Sequence, residues 1–196
     1  MSGLVHVLPL WSKTRYGKVF STVAKHDKQL SPFHLGPCKL YNKYVSRNME
    51  NAWQFSKVYH KFANNGEPTQ DYFKWAENGW FDEKAHRYPM GKGAIPLYSY
   101  WDGEKIGYID ARKTIYAPLY AEQVVKTEKF KMLQNLVNTG TEITLLDYDA
   151  YDHIKRNMTL TDVLNNPKSK MGHAFVLAML LTKDNALKQI KLRSNL

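Results

Sequence analysis

Apolar and polar positions change their spacing several times along the chain, and these changes predict both strands and helices. Short alternating stretches predict strands at residues 4–10, 18–23, 97–101, 105–109 and 142–147. Asp102-Gly103 separates two of these stretches and is a strong signal for a tight hairpin turn. Residues 29–37 contain two prolines and a glycine, so we expect a loop there.

Helical spacing alternates with these strands in no regular order. It predicts helices over residues 49–63, 71–78, 116–138, 160–165 and 172–183, with 116–138 forming one helix or two. Asn48 and Thr159 are suitable N-caps. The last helix is apolar enough to lie in the core, and residues 184–196 form a basic tail. The predicted class is α+β, a mostly helical single domain spanning 1–196 with short strands and a hairpin.

The charge of the chain indicates the kind of partner it meets. Its 196 residues include 28 Lys and Arg against 18 Asp and Glu, a net charge of +10. This surplus favours an anionic nucleotide or nucleic-acid partner. Cys38 is the single cysteine, which excludes an internal disulfide and a zinc site built from several thiolates. The longest apolar run, 174–181, is short for a membrane span, and no signal peptide is visible. We therefore expect a cytoplasmic protein without membrane contact.

The predicted helix 49–63 has two contrasting faces. Ala52, Phe55, Tyr59 and Phe62 fall on an apolar stripe that should face the core. Glu50, Gln54, Lys57 and Lys61 fall on the opposite stripe, flanked by Trp53 and Val58. Two interpretations fit the polar stripe: an ordinary solvated face, or one wall of a cleft.

A cleft would give this stripe chemistry. A lysine amine can attack a sugar C1 carbon and form a Schiff base, provided that the amine is unprotonated. Glu50 would keep Lys57 charged, whereas desolvation or the nearby Lys61 would lower its pKa. The sequence alone does not determine whether the pKa of Lys57 is raised or lowered.

Several blocks appear in a fixed order along the chain. The loop Leu30-Ser31-Pro32-Phe33 precedes Glu50, Gln54 and Lys57. The later blocks are Lys129-Phe130, Thr139-Gly140, Leu145-Leu146-Asp147, Tyr151-Asp152-His153-Ile154 and Met171-Gly172-His173-Ala174 before an apolar helix. Over residues 30–181 this ordered set resembles the NADAR family. Residues 64–110 resemble an insertion, and Lys155-Arg156 and Ala174 replace the Trp-Gly and Asn that are usual in the family.

The resemblance implies an N-glycosidase that removes ADP-ribose from guanine or cleaves a phosphoribosyl-amino-pyrimidine. It implies Lys57 as the covalent nucleophile, with Glu50 and Asp152 as acid–base or orienting groups. Gln54 would hold a ribose hydroxyl, and phosphates would lie against Lys92, Arg112 or Lys155. The remaining residues expected to contact substrate are Trp53, Asn51, Ser31, Phe33, His153 and Gly172. We expect neither a metal nor another cofactor.

Weaker signals support other sites and another function. Asp147, Asp149 and Asp152 form an acidic turn that suits a hard cation, but the glycine and distal glutamate of a calcium loop are missing. Gly91-Lys92-Gly93 is either a phosphate-contacting loop or a plain turn. The hairpin aromatics either pack or stack on a base. The alternative function is a non-catalytic binder of nucleic acid or of a nucleotide signal, in which Lys57 is an ordinary exposed lysine.

Overall fold

The computed structural model of the protein describes residues 3–192, and it contains both helices and strands, in agreement with the predicted α+β class. The strands are β1 Val5–Pro9, β2 Lys18–Ser21, β3 Cys38–Lys39, β4 Val45–Ser46, β5 Lys57–Val58, β6 Ala63–Asn64, β7 Glu67–Pro68, β8 Tyr98–Trp101, β9 Glu104–Ile106 and β10 Ile143–Asp147. The α-helices are α1 Met49–Gln54, α2 Gln70–Phe81, α3 Tyr108–Ala111, α4 Ala117–Val124, α5 Glu128–Asn138, α6 Leu160–Asn165 and α7 His173–Thr182.

A short parallel sheet lies at the centre, in the order β1-β10-β2. Strand β10 is buried along its whole length, which is typical of a parallel strand covered on both faces. Helix α7 is apolar and buried from His173 to Leu181, and it packs on β1, β10 and α4. The prediction of a core helix at this place is confirmed. None of the helices within residues 3–192 is both long and apolar enough to cross a membrane.

The predicted hairpin is confirmed and belongs to a second sheet. Strands β8 and β9 pair around Asp102-Gly103, and β5 joins β8 with Lys57 opposite Ser99. Residues 64–110 therefore supply the partner strand of the segment that carries Lys57. They also add Tyr72 and Trp80 to the same hydrophobic core as the rest of the chain.

The predicted helix over 49–63 is wrong beyond its first two turns. Helix α1 ends at Gln54, and the chain continues as β5 and a 3-10 turn over His60–Phe62. The Tyr72 hydroxyl donates to the carbonyls of Phe55 and Ser56, at 3.2 and 3.1 Å, and so satisfies groups that a continuing helix would have used. Because Lys57 and Val58 pair with β8, they form a strand instead of continuing the helix. Phe55, Tyr59 and Phe62 are nevertheless buried, as expected.

Helix boundaries elsewhere differ for similar reasons. The predicted end of α2 at Gly79 is wrong, because this glycine lies inside the helix, where a Cβ would overlap the Phe55 ring. Residues 116–138 form two helices, and a π-helical segment, Arg112–Tyr116, precedes them. Thr159 caps α6 in a capping box with Asp162, as its position predicts. The tail forms a 3-10 turn over Asn185–Gln189, and 193–196 lie outside the described residues.

Candidate active site

A cavity of about 410 Å³ opens at the carboxyl end of β10, between α1 and the first turn of α7. Its lining includes most of the residues predicted to contact substrate: Ser31, Phe33, Glu50, Trp53, Gln54, Lys57, Arg112 and Gly172. Residues 23–25, 87–88 and 147–149 complete the walls. The cleft interpretation of the polar stripe is therefore the one that the structure supports.

The loop before α1 is fixed onto that helix by its backbone. The Glu50 amide donates to the Pro32 carbonyl at 2.9 Å, and the Met49 amide donates to the Leu35 carbonyl at 2.8 Å. Asn48 caps the helix by accepting from the Asn51 amide. These bonds set Ser31 and Phe33 against the wall that carries Glu50.

Lys57, Gln54 and Glu50 form a continuous line of hydrogen bonds inside the cavity. Lys57 Nζ donates to Gln54 Oε1 at 2.7 Å, and Gln54 Nε2 donates to Glu50 Oε1 at 2.9 Å. The amide therefore separates the amine from the carboxyl and fixes the orientation of both. Helical geometry sets Glu50 and Gln54 one turn apart, whereas β5 brings Lys57 to them.

Burial shifts the two ionisable groups in opposite directions. Desolvation raises the pKa of Glu50, although the bond from Gln54 and the charge of Lys57 oppose it. Desolvation likewise lowers the pKa of Lys57 to about 8, against the attraction of Glu50. About a tenth of the Lys57 amine is then unprotonated at pH 7. Both groups are thus closer to neutral than at a solvated surface.

An aromatic surface adjoins the amine. Lys57 Nζ lies 4.7 Å from the centre of the Trp53 ring, and that ring meets Tyr116 edge to face at 5.1 Å. Trp53 and Tyr116 are both buried. Their packing fixes the Trp53 ring beside the polar stripe, which it was predicted to flank, and restricts water around Lys57.

Besides Glu50, the acidic side chains in the described lining of the cavity are Asp147 and Asp149, and Asp152 lies outside it. Asp147 ends β10, and its Oδ2 accepts from the Ala174 amide at 3.2 Å and lies 3.2 Å from His173 Nδ1. His173 Nε2 lies 2.8 Å from the Thr22 carbonyl oxygen, which can only accept, so Nε2 carries a proton. Gly172 allows this approach, because a Cβ there would overlap the Asp147 carboxylate.

A network of opposite charges also lines the cavity. Arg87 Nη2 pairs with Asp149 Oδ2 at 2.9 Å, and Lys170 Nζ lies 3.5 Å from Oδ1 of the same carboxylate. Within the described chain, the lining includes five basic side chains and three acidic ones, with Lys25 and Lys170 exposed. This balance suits a ligand with negative charge.

Arg112 lines the cavity but is engaged structurally. Its Nη1 donates to the carbonyls of Val163 and Asn166, and its Nη2 donates to the Ser169 carbonyl and the Tyr108 hydroxyl. The guanidinium therefore holds the segment after α6 in place. The prediction that Arg112 contacts phosphate gains no support from this arrangement.

Five predicted site residues lie outside the cavity lining of the described chain: Asn51, Lys92, Asp152, His153 and Lys155. The structure does not bring these side chains together with Lys57 in the cavity. Asp152 accepts from the Lys155 amide at 3.1 Å in the next turn, and His153 is buried edge-on to Phe175. Lys92 is exposed between two glycines with positive φ, so the loop extends into solvent.

Asn51 is buried and acts on the cavity indirectly. Its amide donates to the carbonyls of Asp82 and Lys84, each at 2.9 Å, and its oxygen accepts from the His86 amide at 2.8 Å. These bonds fix the segment that places Arg87 in the cavity wall. Arg87 itself could not be selected from the sequence, because it lies in no regular element and no motif contains it.

The acidic turn that was considered for a hard cation does not gather a cluster of ligands. Within residues 3–192, no group of three or more His, Cys, Asp or Glu side chains is placed to hold a metal ion. The aspartates of the acidic turn separate, with Asp147 and Asp149 in the cavity and Asp152 outside it.

Scans of the chain against protein-family models, curated proteins and solved structures found no significant match.

Proposed function

We propose that the protein is an N-glycosidase that cleaves the bond between ribose C1 and a base nitrogen in an anionic nucleotide or nucleic acid. The observation that carries the proposal is the hydrogen-bonded line Lys57–Gln54–Glu50 in the cavity, where burial lowers the pKa of Lys57 and raises the pKa of Glu50. A nucleophile and a proton donor are thereby provided side by side. The resemblance to the NADAR family over residues 30–181 supports the same activity.

The first step is substitution at the sugar carbon. The neutral Lys57 amine forms a bond to C1 while the bond from C1 to the base nitrogen breaks. The base nitrogen keeps the electron pair and takes a proton from the Glu50 carboxyl. Gln54, anchored to both groups, would orient the amine and accept a hydrogen bond from a ribose hydroxyl, and Asp147 would stabilise positive charge at C1.

The second step releases the sugar. The C1–O4 bond opens as Nζ loses a proton and O4 gains one, which leaves a C1=Nζ Schiff base. Water then adds to C1, and the Glu50 carboxylate accepts one of its protons. The C1–Nζ bond breaks as the new hydroxyl passes its proton to Nζ, which leaves an aldehyde at C1 and restores the neutral Lys57 amine. The net change is hydrolysis of the ribose–base bond. Anionic groups of the substrate would lie near Lys25 and Lys170, whose side chains are exposed at the cavity.

The test is release of base or ADP-ribose, followed by chromatography. The substrates are NAD, DNA carrying ADP-ribosylated guanine, unmodified DNA and a phosphoribosyl-amino-pyrimidine, each with wild type, Lys57→Ala and the exposed-lysine control Lys43→Ala. Release by wild type and by Lys43→Ala, but not by Lys57→Ala, is expected. If no substrate is cleaved while DNA is retained, the glycosidase proposal is wrong and the non-catalytic binder is favoured.

A further inference from the structure

A second concave region, the Trp11 groove, lies beside the carboxyl end of β1. It has a volume of about 500 Å³, and its lining includes Trp11, Lys13, Tyr151, Asp152, Lys155 and Arg156. None of the chemistry proposed above uses this groove. Its side chains combine an exposed aromatic ring with several cations.

Trp11 is unusual among the tryptophans of this protein. Its exposed fraction is 69%, whereas Trp53, Trp80 and Trp101 are buried. A large aromatic ring left in water forgoes the free energy that burial would provide, and its face remains accessible to a partner. A flat exposed ring suits a flat partner that can stack on it.

The charges around Trp11 favour an anion. In the described chain, the groove lining holds Lys13, Lys155 and Arg156, all exposed, against the single acid Asp152. Asp152 lies 3.8 Å from Lys155 Nζ and neutralises only part of that charge. The Arg156 guanidinium lies 4.4 Å from the centre of the Tyr151 ring, which holds its planar face in place.

The groove adjoins the catalytic cavity. Pro9 pairs with Asp147 in the central sheet, and the Leu10 amide donates to the Asp147 carbonyl at 2.9 Å. Asp149 lines the cavity and Tyr151 lines the groove. Two residues span at most about 7 Å between their Cα atoms, so the two linings come close to each other at residues 149–151.

We infer that the Trp11 groove binds an unpaired strand of nucleic acid, with a base stacked on Trp11 and phosphates beside Lys13, Lys155 and Arg156. Aromatic stacking with backbone neutralisation is the common physical basis of single-strand binding. A duplex keeps its bases stacked on each other and offers none to Trp11. An anionic membrane would be contacted by several protruding apolar side chains, whereas Trp11 is the only large exposed one in the described lining of the groove.

The inference is tested by anisotropy of fluorescein-labelled dT20 at low salt, with the whole chain. Trp11→Ala is expected to weaken binding about tenfold or more, and Trp11→Phe to restore most of it, because a ring is again available. Lys155→Gln with Arg156→Gln is expected to weaken binding and to reduce the slope of log K against log salt by about 1.4. Lys43→Gln with Arg47→Gln removes equal charge from exposed residues outside both linings and should change binding less than about twofold.

The competitors decide between partners. Unlabelled dT20 should displace the probe, whereas duplex DNA of equal length and vesicles of one-third phosphatidylserine should compete weakly. Equal binding by wild type and Trp11→Ala, or stronger competition by duplex or vesicles, would overturn the inference. Binding is measured without turnover, and Lys57→Ala is expected to retain it. Failure of the glycosidase proposal and failure of this one are therefore separate results.

Discussion

The cavity beside Lys57 and the groove beside Trp11 both gather basic side chains, but they place them in different surroundings. In the cavity, Lys57 is desolvated beside a tryptophan ring and its pKa falls to about 8. In the groove, Lys13, Lys155 and Arg156 are exposed. A solvated cation attracts phosphate but is a poor nucleophile, because it stays protonated. Desolvation, rather than the number of nearby charges, therefore determines whether a lysine can act as a nucleophile or only bind an anion.

The largest expected effect comes from Lys57→Arg, which keeps the charge and removes the nucleophile. Turnover should fall by about a thousandfold or more, because guanidinium does not lose its proton at neutral pH. Anisotropy with labelled ligand should show that binding is largely kept. The fall in turnover is measured from initial rates, with Lys43→Arg as the control. If Lys57→Arg still turned over substrate, Lys57 in the cavity would differ from the exposed lysines of the groove in no catalytic respect.

Glu50→Gln should lower kcat by about a hundredfold to ten-thousandfold, since it removes the proton donor with little change in shape. Gln54 can still donate to the new amide oxygen, so the fold should persist. Because Glu50 raises the pKa of Lys57, the variant should also have a lower lysine pKa. Rates against pH and a thermal melt measure both effects. A kcat equal to that of wild type would show that Glu50 serves packing only.

Gly172→Ala should reduce both stability and activity, because the added Cβ overlaps the Asp147 carboxylate. Overpacking of this kind costs about 1–3 kcal/mol of the free energy of unfolding. Urea denaturation measures the cost. The matched control is Gly107→Ala, since a Cβ at Gly107 meets no atom within 4 Å. An equal effect of the two substitutions would show that Asp147 is not held as described.

The pH profile of kcat/KM should be bell-shaped. The reaction needs one proton shared between Glu50 and Lys57, so activity falls at low pH, where both are protonated, and at high pH, where neither is. The alkaline limb should lie near pH 8, the lowered pKa of Lys57, and the acid limb near the raised pKa of Glu50. An alkaline limb above pH 10, as for a solvated lysine, would contradict the enclosed environment.

The smallest expected effect is that of Asp152→Asn. Asp152 lies in the groove, where it accepts from the Lys155 amide, a bond that asparagine can also accept. Turnover should change less than about twofold, as for substitutions at surface sites. Asp147→Asn, in the cavity, should reduce it more. A larger loss of turnover in Asp152→Asn than in Asp147→Asn would favour Asp152 as the catalytic residue.

The elements near the site could be predicted where local signals determine them. The N-cap Asn48 started α1, the Asp102-Gly103 turn formed the hairpin, and the apolar run placed α7 in the core. The spacing predicted Glu50, Gln54 and Lys57 on one stripe, and hydrogen bonds join these three side chains, even though the helix ends at Gln54. The family resemblance singled out the same three residues.

Long-range contacts explain what the sequence did not reveal. Strand β5 exists because β8, about forty residues further along, pairs with it, and local spacing carries no sign of that partner. Arg87 reaches the cavity through bonds from Asn51 to an irregular segment. Asp147 lines the cavity and Asp152 does not, and the Asp147 carboxylate lies close to Gly172. Only the folded chain brings residues 147 and 172 together.

Reductive trapping tests the central claim most directly. Wild type is incubated with a cleavable substrate and sodium cyanoborohydride, and the intact mass and tryptic peptides are measured. We expect a stable sugar adduct on Lys57, formed at a rate that follows turnover and absent from Lys57→Ala. Turnover without an adduct, or an equal yield of adduct on another lysine in Lys57→Ala, would contradict covalent catalysis by Lys57.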